Sequence, residues 1–295
     1  MESLYEESVK NLSSFSDIQR RSYRIKIFKE TLSLLSNNFY KNSENIKIQI
    51  RNDQAVSGIQ NNIKILNIEY PSIENLIQTK ISVINSDCLD VAIYMKTKGL
   101  NPIVLNMANN SIPGGGVKAG AGAQEESIFR RSNYVEHLNP NMYPIDGGIY
   151  SPDVVVFRES EALDYKMMKE PVNLAMVAVA ALRRPNIMKV DGKDQYLNAD
   201  KELMRYKIRV ILTVAAKFNH NCLVLSALGC GAYKNPPELV AEIFKEQIES
   251  PSFAGCFQHI VFSIFNDHNS PSGGNFLPFA RVFETQPLYS LQDLS

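Results

Sequence analysis

Net charge is what this sequence most lacks. Its 295 residues carry 31 Lys and Arg against 31 Asp and Glu. The broad basic face of a duplex nucleic-acid binder is therefore missing, and any anionic ligand has to be held locally. Cysteine is scarce too. Cys88, Cys222, Cys230 and Cys256 are dispersed, with no CxxC pair and no His at metal-ligand spacing. That argues against a disulfide framework or a zinc site, and for reduced thiols in a cytoplasmic or nuclear setting. Long apolar runs are absent as well. The longest, Val172 to Leu182, contains Asn173 and stops at Arg183 and Arg184, short of the ~20 residues a bilayer span needs. The opening MESLYEESVK carries acids and no apolar stretch, unlike a secretory leader. No membrane partner is expected, and a monomer is.

What is present is the composition of a globular chain, 44% hydrophobic and 21% charged, which excludes disorder and fibres. Residues 1 to about 40 read as helical, with Ile25, Phe28, Leu32 and Leu35 at helical spacing. Residues 41 to 62 are Asn- and Ser-rich and read as loop or irregular strand. Beyond them, apolar runs at Ile63 to Ile68, Ile81 to Ile84, Pro102 to Leu105, Asp153 to Phe157, Val172 to Ala178, Leu223 to Ala227 and Ile260 to Phe265 predict strands. Leu89 to Lys98, Gln124 to Tyr134, Leu203 to Phe218 and Pro237 to Ile248 carry helical spacing. Such alternation predicts an α/β fold, a sheet covered by helices with ligand loops at strand ends. No linker divides it, so residues 1–62 are expected to form an N-terminal helical accessory region packed on one core, residues 63–295.

Glycine is unevenly spread. Gly114, Gly115, Gly116, Gly120 and Gly122 fall within nine residues, just after a predicted strand. Glycine permits positive φ and close ligand approach to main-chain N–H groups, which suits a phosphate cradle; a flexible connection is the plainer alternative. Neither GxGxxG nor the Walker GxxxxGK[ST] occurs there. After seven intervening residues beyond Gly116, Gln124, Glu125, Glu126 and Ser127 open a helical pattern. Two acids at a helix start could simply complement its dipole. Because adjacent helical residues point about 100° apart, only one could address a reacting atom while the other grips a different part of a ligand. A second small-residue loop, SALGCGAYKNPP, joins a predicted strand to a predicted helix and holds Gly229, Cys230, Gly231, Ala232 and Tyr233. It would suit a diphosphate joined to a sugar or base, with Tyr233 as ring platform or as a half-buried anchor.

The run NMANNSIPGGGVKAGAGAQEESIFRRSNY, followed by IYSPDVVVFRES, resembles the bacterial-type poly(ADP-ribose) glycohydrolases of the macrodomain superfamily. Their signature is GGG followed about six to eight residues later by QEE. RIKIFKETLSLL resembles that family's accessory helix, ISVINSDCLDVA its early strand and turn, LVLSALGCGAYKNPPELVAEIF its second phosphate loop and HIVFSIFNDHNS its last core strand. The likeness runs over about residues 20 to 285, although SALGCG stands where the family more usually has GAWGCG. It implies a macrodomain-like three-layer α/β/α fold with a mixed central sheet. It also implies an enzyme that hydrolyses the ribose–ribose O-glycosidic bond of poly(ADP-ribose) and releases terminal ADP-ribose. In that pattern Glu126 is the catalytic acid and base, while Glu125 and Gln124 position substrate. Asn109 meets the terminal ribose, and Gly114, Gly115 and Gly116 approach the diphosphate. Gly229, Cys230, Gly231, Ala232 and Tyr233 close over the other side, Asp87 holds the adenine amino group, and Phe265 and Asn266 are weaker adenine-end candidates.

No metal and no cofactor are called for. The partners implied are poly(ADP-ribose) or ADP-ribosylated macromolecules, with ADP-ribose as product. Two alternatives stay open at this level: a mono-ADP-ribosyl hydrolase acting on protein or nucleic acid, and a non-catalytic ADP-ribose-binding macrodomain. An unrelated α/β nucleotide binder would explain the glycines but not QEE. His137, His220, His259 and His268 are expected at the surface or at helix caps. Ser226 and Cys230 lack the GxSxG elbow or His partner of a nucleophile. The two loops, residues 113–124 and 226–237, hold Lys118 and Lys234 as their only basic side chains, so recognition is expected to rest on backbone amides.

Overall fold

Ser16 starts the first helix with a capping box. Its hydroxyl accepts from Gln19 N at 3.3 Å, and the Gln19 side chain accepts from Ser16 N at 2.8 Å, satisfying two of the orphan donors at the helix end. The architecture is that of a computed structural model, in which residues 15–68, 77–265 and 273–294 are described. The predicted positions at residues 1–14, and Asn266 and His268, lie outside the described residues.

Helix α1 (Asp17–Asn37) ends at Asn38 in the left-handed conformation. It buries Ile27, Phe28, Thr31 and Leu35, whereas Leu32 is exposed. The expected stripe is therefore corrected by one residue: polar Thr31 goes inside because its hydroxyl donates to Arg130 O at 2.7 Å. The Asn-rich segment bears out the strand alternative in part and adds a helix that the reading lacked. It folds as an antiparallel hairpin, β1 (Phe39–Lys41) with β2 (Lys47–Gln49), and a helix, α2 (Asp53–Gln60). Its asparagines are caps and clamps: Asn52 accepts from Ala55 N at 2.9 Å, and Asn38 Oδ1 accepts from Arg51 N at 2.8 Å.

The chain continues through β3 (Ile63–Ile65), β4 (Lys80–Ile84), α3 (Cys88–Thr97), β5 (Pro102–Met107), α4 (Gln124–Arg131), α5 (Tyr134–His137), β6 (Gly148–Arg158) and β7 (Met167–Val179). After these come β8 (Ile187–Val190), β9 (Lys193–Tyr196), α6 (Asn198–Lys217), β10 (Cys222–Leu225), α7 (Pro237–Ile248), β11 (His259–Ser263), α8 (Phe276–Val282) and β12 (Pro287–Leu288). Every predicted strand and helix of the core is found, most with slightly shifted ends. Hairpin β8–β9, α8 and β12 had no counterpart in the sequence reading. None of the helices among the described residues is long and apolar enough to cross a membrane.

Two compact units emerge. The first comprises the described residues up to Ile63, Ser111–Pro144 and Ser151–Met176. Its apolar cluster joins Leu35, Tyr40, Ile50, Ala55, Val155 and Phe157, and Tyr40 stacks on Phe157 with centroids 5.9 Å apart.

The second comprises the described residues of Lys64–Asn110, Ile145–Tyr150 and Val177–Ser295. All eight strands of the large sheet, ordered β12-β4-β11-β10-β5-β7-β6-β3, place residues in this unit. Strands β12, β4, β11, β10 and β5 pair in parallel, with Val224 opposite Val104 and Val261, and Val261 opposite Ser82. β10 and β11 are buried along their whole length and apolar in their interiors, as parallel strands covered on both faces require. Parallel pairing sends the chain out of β4, β5, β10 and β11 at one edge, where ligand loops of α/β sheets gather. The predicted α/β fold with a large mixed sheet is what the structure contains.

Candidate active site

In the first unit, the glycine run and the acid pair meet. Gly116 N–H donates to Glu126 Oε1 at 2.9 Å, and Gly114 N–H donates to Glu125 Oε1 at 3.2 Å. The Gly115 amide bonds Ile112 O at 3.0 Å. All three amides expected to face a diphosphate are thus engaged within the protein, two of them as donors to the carboxylates. Gly114 must be glycine: its φ is 73°, and a Cβ there would lie 2.6 Å from the Phe129 ring.

Helix α4 starts at Ala123, which supplies no side-chain cap, so its first turn offers positive dipole to the acids that follow. Glu125 is 3% and Glu126 8% exposed. Burial this deep demands partners for a charged carboxylate, and the glycine amides donate to one oxygen of each. The other oxygen of Glu126, Oε2, is buried and has no hydrogen-bond partner among the described residues. One carboxylate oxygen is fixed and the second is unspent. Gln124 is half-buried at the mouth of the helix.

Tyr143, in the same unit, was not identified from sequence. Its hydroxyl is buried without a partner among the described residues. Burial first, then the Glu125 charge, pushes that hydroxyl far up, so it stays protonated. A lone tyrosine in QEE's downstream loop carries no sequence signal of this.

The remaining candidates belong to the second unit. Asp87 follows β4 and caps α3, its Oδ1 accepting from Leu89 N at 2.8 Å and Asp90 N at 3.2 Å. Asn109 follows β5 and is half-buried; Phe265 follows β11 and is 68% exposed. Gly229, Cys230, Gly231, Ala232 and Tyr233 follow β10. Gly229 has φ 74°, and a Cβ there would lie 2.5 Å from Ala181 Cβ. The organiser of this loop is Asn235, which sequence reasoning missed. Its Nδ2 donates to Leu182 O at 2.8 Å and Gly229 O at 3.0 Å, while its Oδ1 accepts from Tyr196 O–H at 2.9 Å. Burial pushes the Cys230 thiol far up, so it is no thiolate nucleophile.

The histidines correct an expectation. His137, His220 and His259 are not at the surface but 1%, 5% and 4% exposed. His220 Nε2 lies 3.1 Å from Tyr150 Oη, His259 Nε2 lies 2.9 Å from Ser82 Oγ, and His137 Nδ1 lies 3.1 Å from Asn62 Oδ1. A ring that shares hydrogen bonds with neutral groups is buried at modest cost, which periodicity cannot reveal.

One unit holds the parallel strands with loops at their carboxyl edge, and the other holds a glycine-pinned pair of acids at a helix start. Comparison with known proteins shows what this chain is similar to. Residues 28–159 match the family model for the microbial-type PARG catalytic domain, a span that includes both the glycine run and QEE. Poly(ADP-ribose) glycohydrolase from Thermomonospora curvata is similar over 89% of this chain and 100% of its own, at 26% identity and a TM-score of 0.76. The same enzyme bound to the inhibitor ADP-HPD matches over 88% of this chain and 99% of its own, at 27% identity and a TM-score of 0.75. In fold alone, the Deinococcus radiodurans enzyme in complex with ADP-ribose is alike at 23% identity, over 80% of this chain and 98% of its own, with a TM-score of 0.63. Among curated proteins none matches. Family model and structures agree in what they point to: the chain is similar to the bacterial-type poly(ADP-ribose) glycohydrolases.

Proposed function

We propose that this protein releases ADP-ribose from the ends of poly(ADP-ribose) chains, with Glu126 as the acid and base of the reaction. The observation that carries the role is the unequal treatment of the two Glu126 oxygens. Oε1 is held by Gly116 N–H, and Oε2 is buried with no partner among the described residues. A fixed carboxyl with one open oxygen, shielded from bulk water, suits proton transfer to a leaving alkoxide.

In the forward reaction Glu126 donates its proton to the leaving ribose oxygen as the bond to the anomeric carbon breaks. The carbon passes through an oxocarbenium-like state. The resulting carboxylate then takes a proton from the water that attacks the same carbon, which restores the acid and yields free ADP-ribose and a shortened polymer. Glu125, one helical step round and tied to Gly114, orients substrate. The Gly229–Tyr233 loop, braced by Asn235, supplies ADP-ribose-binding groups.

The test is to incubate wild type and Glu126→Gln in parallel with poly(ADP-ribose) and with mono-ADP-ribosylated protein, reading released ADP-ribose. Wild type is expected to act on polymer. Glutamine keeps the acceptor for Gly116 but has no acidic proton, so the variant should bind ADP-ribose while releasing it about 1,000-fold more slowly. Near-normal turnover by Glu126→Gln would remove Glu126 from the chemistry. Release from the mono-ADP-ribosylated protein alone would replace polymer as substrate.

A further inference from the structure

Gly120 and Gly122 sit between the GGG run and QEE, yet their surroundings have nothing to do with a phosphate. A Cβ on Gly120, whose φ is 73°, would lie 2.3 Å from the main-chain oxygen of Arg21 in α1. A Cβ on Gly122 would lie 2.1 Å from the Arg24 guanidinium. These glycines let the first helix lie directly on the loop that carries the acids.

Arg24 is itself fixed. Its Nε donates to Glu161 Oε2 and its Nη2 to Glu161 Oε1, both at 2.9 Å, a two-pronged geometry that orients the guanidinium plane. Glu161 Oε2 also accepts from the Tyr165 hydroxyl at 2.9 Å. Tyr165 in turn accepts from Arg130 Nε at 2.8 Å. Arg130, fully buried near the end of α4, sends Nη1 back to Ala121 O at 2.7 Å. The chain of contacts therefore closes on itself: loop, Arg24, Glu161, Tyr165, Arg130, loop. Thr31 in α1 adds a further tie, donating to Arg130 O.

The loop inside this ring is the one that aims the acid. Ala121 N–H and Ala119 N–H both bond Gly116 O, at 3.2 and 2.9 Å, and Gly116 N–H holds Glu126. Ala121 Cβ also packs where a Gly116 Cβ would lie 2.8 Å away. A shift of Ala121 is passed to Gly116 and from there to the catalytic carboxyl.

We infer that Arg130, Tyr165, Glu161 and Arg24 form a positioning brace through which helix α1 fixes the loop between the glycine run and Glu126, so that α1 is part of the catalytic apparatus rather than an outlying appendage. The polarity is consistent along the ring. Burial raises the Tyr165 hydroxyl well above its ordinary range, so it remains a donor to Glu161. The turnover consequences rest on the reading of Glu126 as the acid; the ordering of the loop does not.

Removing Arg130 would take a buried donor from both Ala121 O and the Tyr165 hydroxyl and empty a large interior volume, so the brace is best opened at Tyr165→Phe and, from the other end, at Gly122→Ala, which displaces Arg24. Glu30→Gln is the control: Glu30 ties α1 to Arg158 at 3.4 Å without touching the loop. Measured on the full-length chain are kcat and KM for ADP-ribose release from polymer, ADP-ribose affinity, thermal midpoint, and amide hydrogen exchange over residues 114–126. Misplacement of a catalytic group by a fraction of an ångström to one ångström costs about 10- to 100-fold in rate. Tyr165→Phe and Gly122→Ala should lose that much kcat, leave KM and ADP-ribose affinity within about twofold, and exchange faster over residues 114–126. Glu30→Gln should lower the midpoint while keeping kcat and the exchange pattern.

Two results overturn the brace. One is unchanged exchange over residues 114–126 in Tyr165→Phe. The other is Glu30→Gln losing as much kcat as the brace variants, which would reduce the effect to helix attachment. A wild type that releases nothing from polymer defeats the functional reading instead, and the exchange measurement still decides the brace.

Discussion

Gly116 donates its amide hydrogen to Glu126 Oε1 across 2.9 Å, and Gly114 does the same for Glu125 across 3.2 Å. The glycine run thus acts first on the protein's own acids. Two buried carboxylates at one helix start repel each other, and separate backbone donors hold them apart in defined directions. This relationship exposes Gly114 to a sharp test. Alanine there must take φ 73° and place a methyl 2.6 Å from the Phe129 ring. Left-handed backbone and overpacking together cost about 2 to 4 kcal/mol. Gly114→Ala should therefore lower the denaturation midpoint clearly and reduce turnover, because Glu125 loses its donor when the loop moves. Retention of both midpoint and kcat would mean that the glycine is dispensable.

The two acids should respond differently to the same chemical change. Glu125→Gln keeps an oxygen that can accept from Gly114 N–H, and so keeps its positioning contact. Its kcat on polymer should fall about 10-fold, whereas Glu126→Gln should fall about 1,000-fold, the scale of a lost general acid. Steady-state kinetics of the pair would read the order directly. An equal or larger loss at Glu125 would exchange the two roles.

What could be read from the chain follows a physical boundary. The parallel strands were legible because burial on both faces leaves continuous apolar runs, as in Leu223 to Leu225 and Ile260 to Phe262. GGG and QEE were legible because the residue types are themselves rare in combination. The purpose of each glycine was not: Gly120 and Gly122 look like Gly114 in sequence, yet their neighbours are Arg21 and Arg24, about a hundred positions away. The buried histidines were illegible for the same reason, since Tyr150, Ser82 and Asn62 are long-range partners. Hairpin β8–β9 did carry a local signal. Asp191 and Gly192 both have positive φ, at 50° and 76°, and Asp-Gly between short polar–apolar alternations is a hairpin turn.

Asn235 gives the second unit its own test. Three side-chain hydrogen bonds converge on it, from Tyr196 to Oδ1 and from Nδ2 to Leu182 O and Gly229 O, and the residue is 2% exposed. Asn235→Ala strands buried polar groups on both sides, at about 1 to 3 kcal/mol for each group left unsatisfied. Gly229, already at φ 74° against Ala181, would no longer be held. ADP-ribose affinity, measured by titration calorimetry, should drop about 10-fold or more, together with the thermal midpoint. Unaltered affinity at a lowered midpoint would show that the Gly229–Tyr233 loop takes no part in binding.

Acid should unfold this protein through its interior histidines. Burial pushes His137, His220 and His259 down to about 4, with the Lys80 charge adding to the effect at His259. The unfolded chain takes up these protons near pH 6.5. Between about 6.5 and 4 the unfolded state binds more protons than the folded one, so stability present above that window is lost as pH falls through it. By pH 5 the loss is on the order of 2 kcal/mol per histidine. Urea midpoints at pH 7 and pH 5 should therefore differ strongly in wild type. In His220→Gln, which keeps a polar group facing Tyr150 but cannot titrate, the difference should be smaller by about one histidine's share. A pH-independent midpoint across that interval would show that the three rings take up protons without opening the fold.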